Sequence, residues 1–311
     1  MNSSSNLTPT SALAPTPARL TAADFDQELL ILFDAYVHGD LDRRGFLDRA
    51  QKFAVGGLTA VGILASLQPN FAFAQVSAKD DKRIQTETVT IASPNGYGSI
   101  KAYVAKPAGS TGKLPSVLVI HENRGLNPHI EDIARRLALD GYLALAPDAL
   151  TPLGGYPGDE DKARTEFAKL DQAKTRQDFL ASYAALKARP DSSGKVGAVG
   201  FCYGGGVVHF LSTQLPDLAA GVPFYGNHPA VEEAAKVKAP LQIHFAGVDE
   251  RINAAWPAYE AALKAANVRH AAHIYAGTQH GFNNDTTPRF DAAAAKLSWE
   301  RTMGFFKLHL S

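Results

Sequence analysis

The chain has one cysteine, two methionines and two tryptophans among 311 residues, and no net charge, with 31 Lys plus Arg against 31 Asp plus Glu. A single cysteine cannot close an intramolecular disulfide, which excludes a disulfide-stapled scaffold. Balanced charge leaves no net field to draw the chain to nucleic acid or an acidic membrane surface. Neither H-E-x-x-H nor any C-x-x-C pair occurs, and His121-Glu122 ends an apolar strand-like run, so ten histidines do not amount to a metal-catalytic motif. Gly200, Gly204, Gly205 and Gly206 form neither a G-x-G-x-x-G turn nor a Walker loop. No cofactor is therefore expected.

What is present centres on Cys202. It lies in Gly200-Phe201-Cys202-Tyr203-Gly204-Gly205, directly after the apolar run from Lys195 to Val199. Small residues on both flanks let a strand turn abruptly into a helix, lifting the central side chain clear of the backbone as a nucleophile elbow with sulfur in place of oxygen. A thiol at a helix N-terminus meets unpaired amide groups, which favour thiolate. Such a nucleophile needs a base, and the base needs an orienting acid. The apolar strand 240–246 delivers Asp249, and the strand 270–275 runs into Gly277-Thr278-Gln279-His280, where Gly and Thr mark a loop. Cys202, Asp249 and His280 thus follow the order nucleophile, acid, histidine at the ends of successive strands.

The rest of the chain alternates strands with helices, which predicts an α/β fold with a mainly parallel sheet covered on both faces. Residues 83–92 and 99–106 read as a β-ribbon around Pro94-Asn95-Gly96, followed by strand 116–121, helix 129–140 and strand 142–146. Residues 151–158 read as a loop and 160–188 as helical, with strand 219–225, helix 254–267 and a final helix 290–309 beyond the elbow. With 45% hydrophobic residues, the chain can bury a large core.

On the G-x-C-x-G elbow and the segment Val119-Ile120-His121-Glu122-Asn123-Arg124-Gly125, the sequence resembles the dienelactone hydrolase (carboxymethylenebutenolidase) family of α/β-hydrolases over roughly residues 84 to 309. The resemblance implies an α/β-hydrolase fold and opening of a lactone or cleavage of a small ester through an acyl-enzyme. It also implies that Glu122 contacts the resting thiol and that the backbone amides of Asn123 and Tyr203 form the oxyanion hole. The chain departs from the family where substrate is held, because Asn284 stands where an arginine would grip a carboxylate. A neutral amide cannot make that charge-assisted pair. Arg124, Lys162, Arg164 and Arg251 are the candidate replacements, Arg124 first among them. The rival classes are a thiol-based redox or regulatory protein, for which a resolving cysteine is missing, and a hydrolase-like binding protein without chemistry.

The N-terminus carries a separate signal. Residues 1–19 are rich in Ser, Thr, Pro and Ala and should be disordered, and Asp24 to Phe33 reads as an amphipathic helix. Arg43-Arg44-Gly45-Phe46-Leu47 resembles a twin-arginine export motif. The weakly apolar run Ala54 to Leu67, about 14 residues and too short for a bilayer, is followed by Ala72-Phe73-Ala74, an A-x-A cleavage pattern. The expected division is a tail and export segment over 1–74 and a hydrolase domain over 75–311. Its partners would be a small lactone or ester and the export machinery, and its location periplasmic. The alternative is a helical hairpin packed on the hydrolase domain of a cytoplasmic enzyme.

Overall fold

The computed structural model describes residues 19–73 and 76–311. Eight strands form one sheet: β1 (Ile84–Ser93), β2 (Gly98–Pro107), β3 (Leu114–Ile120), β4 (Leu143–Pro147), β5 (Ser192–Phe201), β6 (Ala220–Phe224), β7 (Leu241–Val248) and β8 (His270–Gln279). Their order is β1-β2-β4-β3-β5-β6-β7-β8. The pairs β1–β2 and β2–β4 are antiparallel and every other pair is parallel. β3, β4 and β6 are apolar and almost wholly buried, as befits strands covered on both faces. The ribbon, the parallel strands and the alternation therefore match the sequence-based expectation.

Among the described residues, ten α-helices accompany the sheet: α1 (Gln27–His38), α2 (Arg43–Ala50), α3 (Ala60–Leu67), α4 (Pro128–Leu139), α5 (Glu160–Phe167), α6 (Gln172–Ala188), α7 (Tyr203–Gln214), α8 (Glu250–Asn253), α9 (Trp256–Ala265) and α10 (Ala292–Leu310). Two expectations shift. The stretch 160–188 divides into α5 and α6, because Asp171 caps a new helix by accepting from the amides of Ala173 and Lys174. Gly277 and Thr278 belong to β8, so His280 follows its strand directly instead of sitting within a loop.

The N-terminal segment has a small core of its own. Leu29, Leu30, Phe33, Tyr36, Val37, Phe46, Ala50, Ile63, Leu64 and Leu67 are buried together. Each large apolar side chain so buried contributes about 1.5–3 kcal/mol. The expected helix from Asp24 begins later, capped by Asp26, and ends at a left-handed Gly39. The apolar run expected over 54–67 is helical only from Ala60. Polar contacts join the segment to the rest of the chain. The Asn70 amide donates to the Thr286 carbonyl at 2.7 Å, Asn123 Nδ2 to the Val37 carbonyl at 2.8 Å, and Arg289 pairs with Asp34 at 3.2 Å. Arg43 of the arginine pair bonds Asp161 at 2.5 Å. The expected disordered tail lies, Arg19 apart, outside the described residues, as do Ala74 and Gln75 around the expected cleavage point. No helix among the described residues is long and apolar enough to cross a membrane.

The glycines of the elbow are there for lack of room. A Cβ on Gly204 would sit 2.3 Å from the Ile120 carbonyl oxygen, and one on Gly200 would sit 2.2 Å from that of Gly204. α7 is thereby pressed against β3 and β5. Gly204→Ala is expected to cost about 1–3 kcal/mol through overpacking, read as a lower urea midpoint with unchanged slope. An unchanged midpoint would mean that the helix can lift away freely.

Candidate active site

Cys202 sits between β5 and α7 with φ 55° and ψ −113°, left-handed backbone that non-glycine residues rarely adopt. The strained turn aims the sulfur away from the sheet at the C-terminal ends of β3, β5, β7 and β8. Its amide donates to the Phe224 carbonyl at 3.0 Å, tying the turn to the neighbouring strand. Tyr203 is the first residue of α7, so its amide is one of the four without an intrahelical acceptor. Asn123 follows β3 across from it, half-buried.

Asp249 caps α8 and accepts at Oδ2 from His280 Nδ1 at 2.6 Å. Both side chains are buried, and His280 Nε2 has no hydrogen-bond partner. An imidazole nitrogen of His280, one of His38 and the Cys202 sulfur all lie within 4.8 Å of one another. The structure thus brings together the three residues that the sequence placed on separate strand ends.

It also adds a histidine that the sequence reading missed. His38, the last residue of α1, places Nε2 3.3 Å from Cys202 Sγ. Its Nδ1 meets the Asp34 carbonyl oxygen at 2.8 Å and the Asp34 carboxylate at 3.3 Å, one helical turn back. The sulfur therefore stands between two imidazoles, each backed by an aspartate. Burial pushes the thiol up, but the charges of His38 and then His280 outweigh it and bring Cys202 down to about 5. Burial opposes charge on His280, and the thiolate, Asp34 and Asp249 overcome it, raising that histidine to about 10. The two imidazoles, rather than the helix N-terminus alone, account for the acid thiol.

The other sequence candidates lie close by in different company. Glu122 accepts from Asn284 Nδ2 at 3.1 Å, so its bonding partner is the amide and not the thiol. Arg124 is paired with Glu160 at 2.9 Å and donates to Asn123 Oδ1. Its charge is already matched. Glu122, Arg124 and Asn284 line a space of only about 30 Å3 under Phe33, Tyr36 and Val37, room for about one water. A cavity of about 290 Å3 meets the sulfur from another side, walled by His38, Asn123, Tyr203, Asn227 and Arg251, with Arg164 at its edge. Of the candidate replacements for the lost arginine, Arg251 and Arg164 reach this cavity. Arg164 is held by the Tyr36 carbonyl and lies 3.9 Å over the Tyr36 ring. Lys162 lines neither space.

His38, Cys202 and His280 also form a two-histidine, one-thiolate donor set of the kind a soft divalent metal takes. The Arg251 guanidinium, 3.0 Å from His38 Nε2, opposes a further cation there.

The parallel sheet, the strained strand-to-helix turn and the acid and histidine on later strand ends define an α/β-hydrolase. The dienelactone hydrolase family model matches residues 100–310, and the chain belongs to that family. Its chemistry is accordingly hydrolysis of lactones or carboxylic esters. A carboxymethylenebutenolidase-type protein of Escherichia coli K12 is 33% identical over 231 residues, 69% of this chain and 84% of that protein. A hydrolase fragment of the same organism, YghX, is 52% identical over 114 residues, 37% of this chain and 97% of the fragment. The crystal structure of a dienelactone hydrolase-type protein from Klebsiella pneumoniae superposes with a TM-score of 0.64 at 28% identity, covering 72% of this chain and 99% of that one. A YqhI-like family model matches residues 16–55, within the segment that carries His38.

Cys202 should react as a thiolate well below the usual thiol range. Its pKa is lowered, so the reactive form is lost as pH falls through about 5 and persists at neutral pH. Iodoacetamide alkylation of the lone thiol, followed by mass spectrometry, is expected to be half-maximal near that pH. A midpoint near the ordinary value of about 8.5 would remove the two-imidazole account.

Proposed function

We propose that the enzyme opens a lactone or cleaves a small ester covalently, with Cys202 as nucleophile, His280 as acid and base, and Asp249 behind it. The observation that carries this reading is the 2.6 Å Asp249–His280 contact, which leaves His280 Nε2 unpartnered beside a sulfur on a strained elbow. The thiolate attacks the carbonyl carbon and the carbonyl electron pair moves to oxygen, where the Asn123 and Tyr203 amides would receive it. As that pair returns, the carbon–oxygen bond to the leaving group breaks and the alkoxide takes the proton of His280. In a lactone the leaving group stays attached to the acyl chain. Water then gives a proton to His280 and adds to the thioester, and the tetrahedral intermediate collapses to release the acid and restore the thiolate.

Asn284 and the pairing of Arg124 with Glu160 support substrates without a carboxylate on that side of the site. The test of the mechanism is turnover of an aryl ester and a neutral lactone by folded Cys202→Ala. A loss of about 10³ to 10⁶ in rate is expected. Activity within tenfold of wild type would move the protein to the redox or binding class.

For the N-terminal segment, two proposals exclude each other: export with cleavage after Ala74, or retention on the hydrolase domain. We infer retention, supported by the pairing of Arg43 with Asp161 and of Asp34 with Arg289. Changing Arg43 and Arg44 together to Lys keeps their charge but removes the paired guanidinium groups that twin-arginine recognition requires. Fractionation with N-terminal sequencing should find the wild type and the Lys pair alike, both still carrying residues 19–73. A wild-type N-terminus at Gln75, lost in the Lys pair, would establish export instead.

A further inference from the structure

We propose that His38 is a second catalytic histidine, brought to the sulfur of Cys202 by the N-terminal segment and holding the resting nucleophile as thiolate. The inference rests on the reading of Cys202 as nucleophile. The geometry that carries it is a duplicated arrangement: Asp249–His280 approaches the sulfur from one side and Asp34–His38 from another, with His38 Nε2 at 3.3 Å. The residue that the family resemblance assigned to contact with the resting thiol, Glu122, is engaged by Asn284.

The proton balance gives each histidine its own task. The thiol proton passes from Sγ to His38 Nε2, leaving a thiolate beside an imidazolium stabilised by Asp34. His280 then handles the protons of the leaving group and of water, while His38 remains protonated through the cycle. Two groups compete for His38 Nε2. When unprotonated it can accept from Arg251, 3.0 Å away, and after taking the thiol proton it can donate to the sulfur. The cation on His38 is opposed by Arg251 and by charged His280, and favoured by Asp34 and the thiolate. Burial works against charge on His38, and the thiolate and Asp34 still raise it above the ordinary histidine value. Asp34 in turn faces Arg289 at 3.2 Å and Arg251 at 3.8 Å.

His38 is a wall of the site and not a plug in it. The sulfur still opens on the cavity of about 290 Å3 bounded by Tyr203, Asn227 and Arg251, large enough for a small ester. What α1 closes is the small space over Arg124 and Asn284.

The test uses the full chain. His38→Gln should move the alkylation midpoint of Cys202 up by at least one pH unit, lowering the alkylation rate at pH 6 at least about twofold and kcat/KM for an aryl ester in proportion. His38→Lys, which keeps a cation beside the sulfur, should hold the midpoint closer to wild type. A purely structural role would not separate the two variants. Should His38→Gln fail to fold, Asp34→Asn reads the same midpoint, with an upward shift expected. An unchanged midpoint in the folded variant, or a rise in its activity and alkylation rate, would overturn the proposal and make His38 an inert or obstructing neighbour. Neither result touches the nucleophile assignment, which fails only if Cys202→Ala remains active.

Discussion

The arrangement at the strand ends depends on a charge held in a confined place. A half-buried sulfur on a strained turn would ordinarily stay protonated, because burial disfavours the anion. Two imidazoles, each fixed by a carboxylate, reverse that balance and bring Cys202 to about 5. The same thiolate raises His280 to about 10, so the sulfur and the imidazole stabilise each other's charged forms. The elbow glycines serve this arrangement, because only their missing side chains let α7 lie close enough to β3 and β5 to present the sulfur there.

The N-terminal segment changes the shape of the site as well as its charge. Phe33, Tyr36 and Val37 cover the space around Glu122, Arg124 and Asn284, leaving room for about one water. The sulfur is open instead on the side of Tyr203 and Asn227, where the cavity that reaches Arg251 lies. Asn284 fixes Glu122, and Arg124 is committed to Glu160.

Much of this was legible in the residues. The Cys202 elbow, the order of Asp249 and His280, and the alternation of strands and helices are local or periodic signals, and each specifies its element without reference to distant chain. Boundaries were less legible. The division between α5 and α6 turns on a single capping aspartate, Asp171, inside a stretch whose apolar spacing runs on past it. The motif of the N-terminal segment points to an export signal, with a packed hairpin as the alternative. The partners that decide its docking, such as Asp161 for Arg43 and Arg289 for Asp34, are more than a hundred residues away.

By itself the sequence determined the fold class and the hydrolase family, and set Cys202, Asp249 and His280 in order at the ends of successive strands. These follow from short motifs and from hydrophobic period. Only the tertiary structure decided that His38, 164 residues from Cys202, reaches its sulfur, and that Glu122 and Arg124 are matched by Asn284 and Glu160. The physical reason is that a side chain's charge and proton depend on what packs within a few ångströms of it. For His38 that neighbour is set by how a separate small core docks, which no local pattern encodes.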